Sequence, residues 1–254
     1  MAKQKLGIIQ TRGLGDIHIA LPIARHYYNQ DWEIYWPICD MWVEQMNHYV
    51  PWIKWIPITP DNGAFFYDIP MERLKNFRVD EVLCLYQALT GHPEFTEEPY
   101  FQHTGFDQYK YLKAGVPFLD KWKLAECITR DPAREQAMYE QAVPNKDVPY
   151  VVTHLNASQH AAAFDMSIIP EGWQIVPITQ QGYILDWLGV IERAESIIMT
   201  DSVMSNIVDQ LNIGTDRYYL PCNHIQLTPT FGNDWTWLEN KNLDPRVKIF
   251  QSSK

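Results

Sequence analysis

With 254 residues, 46% of them hydrophobic and 20% charged, the chain has ordinary globular composition and enough length for one large domain or two small ones. A formal net charge of −10 excludes the broad cationic grip that nucleic-acid binding requires, though not a local basic groove. Cys39, Cys84, Cys127 and Cys222 are scattered without metal spacing, no signal-type apolar region opens the sequence, and no apolar run approaches ~18 residues; buried thiols in a soluble intracellular (cytoplasmic) protein are expected.

The first segment, LGIIQTRGLGDIHIALPIARH at residues 6–26, predicts an apolar strand over 6–9, a tight turn holding Gly13 and Gly15, and a helix whose first charged residue is Asp16. Glycines let a backbone approach a ligand, and the helix that follows offers free N–H groups in its first turn. Position 18 is His18, so the spacing is not the G-x-G-x-x-G of dinucleotide binding. Strands over 32–38 and 52–58 flank a helix starting at Asp40, and a further helix ending near Phe77 precedes a strand over 81–85. Strand and helix alternating in this way predict a doubly wound parallel sheet.

Residues 90–105 hold two prolines and little periodicity, which predicts a surface loop; His92 and His103 in it are candidates to border an acceptor site, the competing reading being ordinary exposed histidines. Helices follow over 107–113 and 132–143, and Pro144-Asn145-Lys146-Asp147 is the expected linker between two halves, 1–145 and 146–254. The second half predicts strands over 150–155, 173–177, 196–199 and 218–220, an amphipathic helix over 184–194, a helix over 202–211 and a last helical turn over 234–240. Thr200-Asp201-Ser202 stands where a buried strand meets a helix start, a place where small hydroxyl residues leave room for an anion against helix amides; simple capping by Asp201 or Ser202 is the competing reading.

Taken together, Gly15-Asp16 with Pro22 six residues after the Asp, His154-Leu-Asn-Ala-Ser158 at a strand end, and Asp201-Ser202 at the later strand–helix junction resemble the ADP-heptose:lipopolysaccharide heptosyltransferase family of GT-B glycosyltransferases. The resemblance runs in order over residues 5–211 and is weakest over 90–143. It implies two Rossmann-like α/β domains facing across a cleft, the first binding acceptor and the second the nucleotide-sugar. It further implies Asp16 as the catalytic base and Gly13, Gly15, Ser158, Gln159, His160, Gln181, Tyr183, Asp201, Ser202, Ser205 and Asn206 around the donor; His18, with His92 and His103 of the loop, is a candidate for the acceptor side. The chain departs from the family in having no Lys or Arg between His154 and Glu171, where the family neutralises phosphate, and in Val203, Ser205 and Asn206, which stand where Gly and His usually follow.

No Asp-x-Asp occurs, so a metal-independent transferase with no cofactor beyond its nucleoside-diphosphate sugar is expected. The acceptor is read as a small molecule or glycan, or else a hydroxylated base in DNA as for a short virus-encoded (phage) member. A nucleotide-sugar epimerase and a degenerate nucleotide-binding module compete with glycosyl transfer as functions of the same architecture.

Overall fold

Two nearly continuous apolar runs, LGII at 6–9 and IYWPIC at 34–39, form the middle of a parallel sheet, as strands covered on both faces do. A computed structural model of the chain describes residues 3–60, 63–87, 104–156, 161–222 and 228–242. It divides into two compact units, Met1–Thr129 and Arg130–Lys254.

In the first unit β1 (Lys5–Ile9), β2 (Glu33–Cys39), β3 (Lys54–Ile58) and β4 (Glu81–Cys84) lie in the order β3-β2-β1-β4, with every pair parallel. Helices α1 (Leu14–Tyr28), α2 (Asp40–Tyr49) and α3 (Asp68–Asn76) connect them. Registered pairing of β1 with β2 ends at Tyr35, ahead of Pro37, which has no N–H to give. The Gln10 carbonyl beyond that point accepts the Trp36 indole N–H at 3.1 Å instead. Helix α4 (Phe106–Ala114) packs on α1 through two tyrosines: Tyr111 Oη donates to the Ile19 carbonyl and Tyr27 Oη to the Ala114 carbonyl, both at 2.8 Å. A wholly buried ion pair, Lys121 Nζ to Asp107 Oδ2 at 2.7 Å, ties the short 3₁₀ turn at Phe118–Trp122 to the start of α4.

The second unit opens on α5 (Pro132–Ala142), whose cap Asp131 accepts the amides of Ala133 and Arg134 and whose first residue is a proline already shaped for a helix. Strands β5 (Tyr150–His154), β6 (Gln174–Pro177), β7 (Ser196–Thr200), β8 (Asp216–Leu220) and β9 (Thr236–Trp237) form an all-parallel sheet in the order β6-β5-β7-β8-β9. Helices α6 (Leu188–Glu192) and α7 (Val203–Leu211) flank β7 in sequence, and β7 is buried along its whole length. Val151, Phe164, Ile198, Leu220 and Cys222 form one of its core clusters.

Three expectations change. Helix α5 belongs with the second unit, because Arg130 bridges Glu135 and Glu192 and Arg134 grips Asp186 through Nε (2.9 Å) and an η nitrogen (2.8 Å), fastening α5 to α6 and the turn before it. The helix expected over 184–194 is a 3₁₀ turn, Ile184–Trp187, followed by the short α6. Residues 236–237, expected in a helical turn, pair with β8: the fully buried Asp209 carboxylate accepts the amides of Gly232 and Asn233 and the Trp235 indole N–H, and so holds the chain extended beside Tyr219.

Candidate functional site

At the carboxyl end of β1 the chain turns through Gln10, Thr11, Arg12 and Gly13 into α1. Gly13 has φ of 81° and stands as the helix cap, with no side chain to serve it. A Cβ on Gly13 would collide with the Asp16 carboxylate, so glycine is needed here for both its backbone angle and its lack of bulk. Gly15 falls in the first turn of α1. Asp16 Oδ1 pairs with Lys110 Nζ at 3.0 Å; the aspartate side chain is 33% exposed and the lysine 6%. Lys110 also donates to Gln10 Oε1 at 2.7 Å, and Gln10 Nε2 donates to the Arg12 carbonyl at 2.8 Å. From β4's end, the Tyr86 hydroxyl oxygen accepts the amides of Thr11 (3.0 Å) and Arg12 (3.1 Å), and burial pushes that phenol up to about 12. The result is a solvent-reachable carboxylate in the first turn of α1, beside a loop fixed from several sides.

His18, expected on the acceptor side, is corrected by this geometry. Two residues beyond Asp16 on a helix is ~200° of rotation, so it faces the core. It has no exposed surface, shares a 2.8 Å hydrogen bond with the Leu14 carbonyl through Nδ1, and is held neutral by burial with its pKa lowered to about 4. His92 and His103 lie outside the described residues.

In the second unit the predicted strand–helix junction is present. Ser202 caps α7: its Oγ accepts the Ser205 amide, and Ser205 Oγ accepts the Ser202 amide at 3.2 Å and donates to the Ser202 carbonyl at 2.9 Å. Both hydroxyls therefore serve the cap. The amides of Val203 and Met204 lie ahead of the helical ladder, where no intrahelical carbonyl reaches them. Asn206 Nδ2 donates to the Ser202 carbonyl at 2.9 Å, while its Oδ1 is buried without a hydrogen-bond partner among the described residues. His154, at the end of β5, shares a 2.8 Å hydrogen bond with Ser202 Oγ through Nδ1; burial lowers its pKa to about 4.

Asp201 stands just before the cap residue of α7. It is 9% exposed and accepts a hydrogen bond from the Tyr219 hydroxyl, and burial followed by the Asp201 charge holds that phenol well above the ordinary range. Gln181 is exposed, with its carbonyl accepting the Trp187 indole N–H at 3.1 Å. The Arg134 guanidinium covers one face of Tyr183, 4.2 Å from the ring centre, so that face is not open for stacking. Ser158, Gln159 and His160 lie outside the described residues. Among the described residues no group of three or more His, Cys, Asp or Glu could hold a metal ion, and no helix is long and apolar enough to cross a membrane.

No protein-family model matches the sequence, and no curated protein matches it. Solved structures do. A glycosyl transferase family 9 protein from Veillonella parvula is similar at TM-score 0.65 and 10% identity, over 94% of this chain and 88% of that one. The ADP-heptose lps heptosyltransferase II of E. coli is similar at TM-score 0.58 and 11% identity, over 96% and 95%. The dodecameric iron-containing heptosyltransferase TibC is similar at TM-score 0.51 and 11% identity, over 90% of this chain and 61% of that one. The chain has the fold of these glycosyltransferases. At such identities the likeness is one of fold, and it agrees with the two-domain α/β class expected for a GT-B glycosyltransferase.

Within this glycosyltransferase fold Lys110, Gln10 and Tyr86 join the site without being among the residues expected from sequence. Lys110 stands 100 positions from Gln10, and no motif spacing links them. The available signal was composition: a lysine set between Tyr109 and Tyr111 on a stretch that folds inward. His154 belongs to the strand-end motif, and its bond to Ser202 joins two segments far apart in the chain.

Proposed function

We propose that this chain transfers a sugar from a nucleoside-diphosphate donor to an acceptor hydroxyl. Asp16 takes the hydroxyl proton, the acceptor oxygen bonds to the anomeric carbon, and the bond from that carbon to the diphosphate breaks with its electron pair leaving on the diphosphate. The amides of Val203 and Met204 and the dipole of α7 receive the added negative charge, the role a cation or a metal fills elsewhere. In this reading Met1–Thr129 handles the acceptor and Arg130–Lys254 the nucleotide-sugar. A net charge of −10 favours a small molecule or glycan over DNA as acceptor.

The observation that carries the proposal is the partly exposed Asp16 carboxylate at the carboxyl end of β1, where open α/β sheets bind ligands, in a chain with a glycosyltransferase fold. ADP-heptose is the first donor to try, since it is named for the E. coli neighbour. A thermal-shift series with ADP-, UDP- and GDP-sugars comes first: a donor at 100 times its Kd adds about 2.7 kcal/mol of stability. Turnover of the donor that binds is expected to persist in excess EDTA, and loss of activity restored by Mn²⁺ or Mg²⁺ would place the diphosphate on a metal instead.

One observation favours a second reading. With no Lys or Arg between His154 and Glu171, a catalytically degenerate module would bind nucleotide by the same helix and turn nothing over. A donor that shifts the melting temperature, yet releases no nucleoside diphosphate with any acceptor supplied, would select that reading.

A further inference from the structure

A carboxylate that serves as a base must be held within hydrogen-bond reach of the proton it takes, and a displacement near 1 Å can reduce rate by ~10²-fold. Asp16 stands in the first turn of α1, directly after the turn at Gly13, and no side chain caps that helix end. The restraint comes from α4. Lys110 Nζ donates to Asp16 Oδ1 at 3.0 Å and to Gln10 Oε1 at 2.7 Å, and its side chain is 6% exposed. Gln10 is itself 1% exposed and is anchored through Nε2 to the Arg12 carbonyl, so the ammonium is aimed by a rigid amide. One turn further along α4, Lys113 Nζ donates to the Tyr86 carbonyl at 3.1 Å, and the Tyr86 hydroxyl holds the amides of Thr11 and Arg12. The helix therefore grips the catalytic loop on both sides.

We infer that Lys110 is a positioning residue for Asp16: it fixes the carboxylate through Oδ1 and leaves Oδ2, which lies over Gly13, to meet the acceptor hydroxyl. The inference rests on Asp16 being the base. Oδ1 is occupied by the ammonium and the Gly13 side has no Cβ, so the geometry selects one oxygen of the two for the acceptor. Lys110 touches no reacting atom in this scheme and acts only through Asp16.

The test compares wild type, Lys110→Met, Lys110→Gln, Lys110→Arg, Asp16→Asn and the Asp16→Asn/Lys110→Met double variant in the full chain. The readout is nucleoside diphosphate released from ADP-heptose, UDP-glucose and GDP-mannose, with water or an added sugar as acceptor. Lys110→Met should lose about 10- to 10²-fold in kcat with KM for the donor changed by less than about 2-fold, since donor binding is elsewhere in the scheme. Lys110→Arg, which keeps the charge, should recover most of the loss. The double variant should be no slower than Asp16→Asn alone, because a residue that works through another contributes nothing once that other is gone. Lys110→Gln keeps a hydrogen-bond donor for Gln10 and supplies the same comparison if Lys110→Met does not fold.

Wild-type kcat in either folded neutral variant, or losses that multiply in the double variant, would overturn the role given to Lys110 while leaving Asp16 as base. Wild-type rate in Asp16→Asn, or no release of nucleoside diphosphate by the wild type, would instead overturn the reading beneath it.

Discussion

Asp16 can act as a base or as a helix-end charge, and its exchange for Asn separates the two. The structure alters what that exchange should do to stability. α1 is capped by Gly13 without side-chain help, and Asp16 is the counterion of a nearly buried lysine. Asn keeps an oxygen for Lys110 but removes the charge, so Asp16→Asn should lower stability by about 1–3 kcal/mol and rate by roughly 10²- to 10⁴-fold. A near wild-type rate, measured on the same protein as the melting curve, would reduce Asp16 to a structural ion-pair partner. His18 yields a second residue-level expectation. Its folded pKa, lowered to about 4 by burial, lies below the ordinary 6.5, so between those values the unfolded chain binds the proton and the folded one does not. Its contribution is therefore fully present above pH 6.5 and is lost as pH falls toward 4, to the extent of about 3 kcal/mol. Denaturant titrations from pH 7 to 4 should show a shallower decline in His18→Leu than in wild type; parallel curves would mean that His18 is not held neutral.

At the scale of elements, α7 was the most legible part of the sequence. A buried strand, a Ser at the junction and an apolar helical face require only neighbours in sequence, and the capping box formed by Ser202 and Ser205 is local. The same local chemistry occupies each hydroxyl with the other residue's backbone, and that of Ser202 also with His154, which leaves the helix amides as the groups able to meet a phosphate. Ser202→Ala should cost about 1 kcal/mol as a lost cap, and should also free His154. Ser202→Glu places a negative charge beside the amides of Val203 and Met204, so affinity for a nucleoside diphosphate, measured by calorimetry, should fall steeply in a protein that still folds. Unchanged affinity would move the diphosphate away from this helix. Helix α4 shows the opposite case. Its pattern announced a helix, but nothing in its own residues said that Lys110 and Lys113 would be turned toward the end of β1; that follows from Tyr111 and Tyr27 docking α4 on α1.

For the whole molecule, the division of the chain follows side-chain ties more than turn residues. Pro144-Asn145-Lys146-Asp147 reads as a linker because it is polar and contains proline, yet the helix before it is fastened to the second unit by two arginine clusters. A fragment of residues 130–254 should accordingly unfold at a higher temperature than one of residues 146–254, which exposes the apolar side of α6 and leaves Asp186 without its arginine. The Arg134 side chain is 38% exposed and that of Asp186 3%, so losing this charge-assisted hydrogen-bonded pair costs about 1–3 kcal/mol. Equal melting temperatures would return the boundary to the linker.

By itself the sequence determined the alternation of strand and helix, the all-parallel class, the glycine turn with Asp16 just after it, and the Ser-capped start of α7. Each of these is written in neighbours a few residues apart, through hydrophobic period, turn chemistry and capping. Only the tertiary structure decided that His18 faces the core, that α5 joins the second unit, that Thr236 and Trp237 extend a sheet, and that Lys110 holds Asp16. These depend on which distant segments meet, and that is set by the packing of whole elements: Tyr111 against α1, Asp209 against residues 232–235, Arg134 against Asp186. A lysine among tyrosines carries no mark of the aspartate it will meet, because the ion pair forms only after hydrophobic packing has brought the two strand-end loops and α4 together.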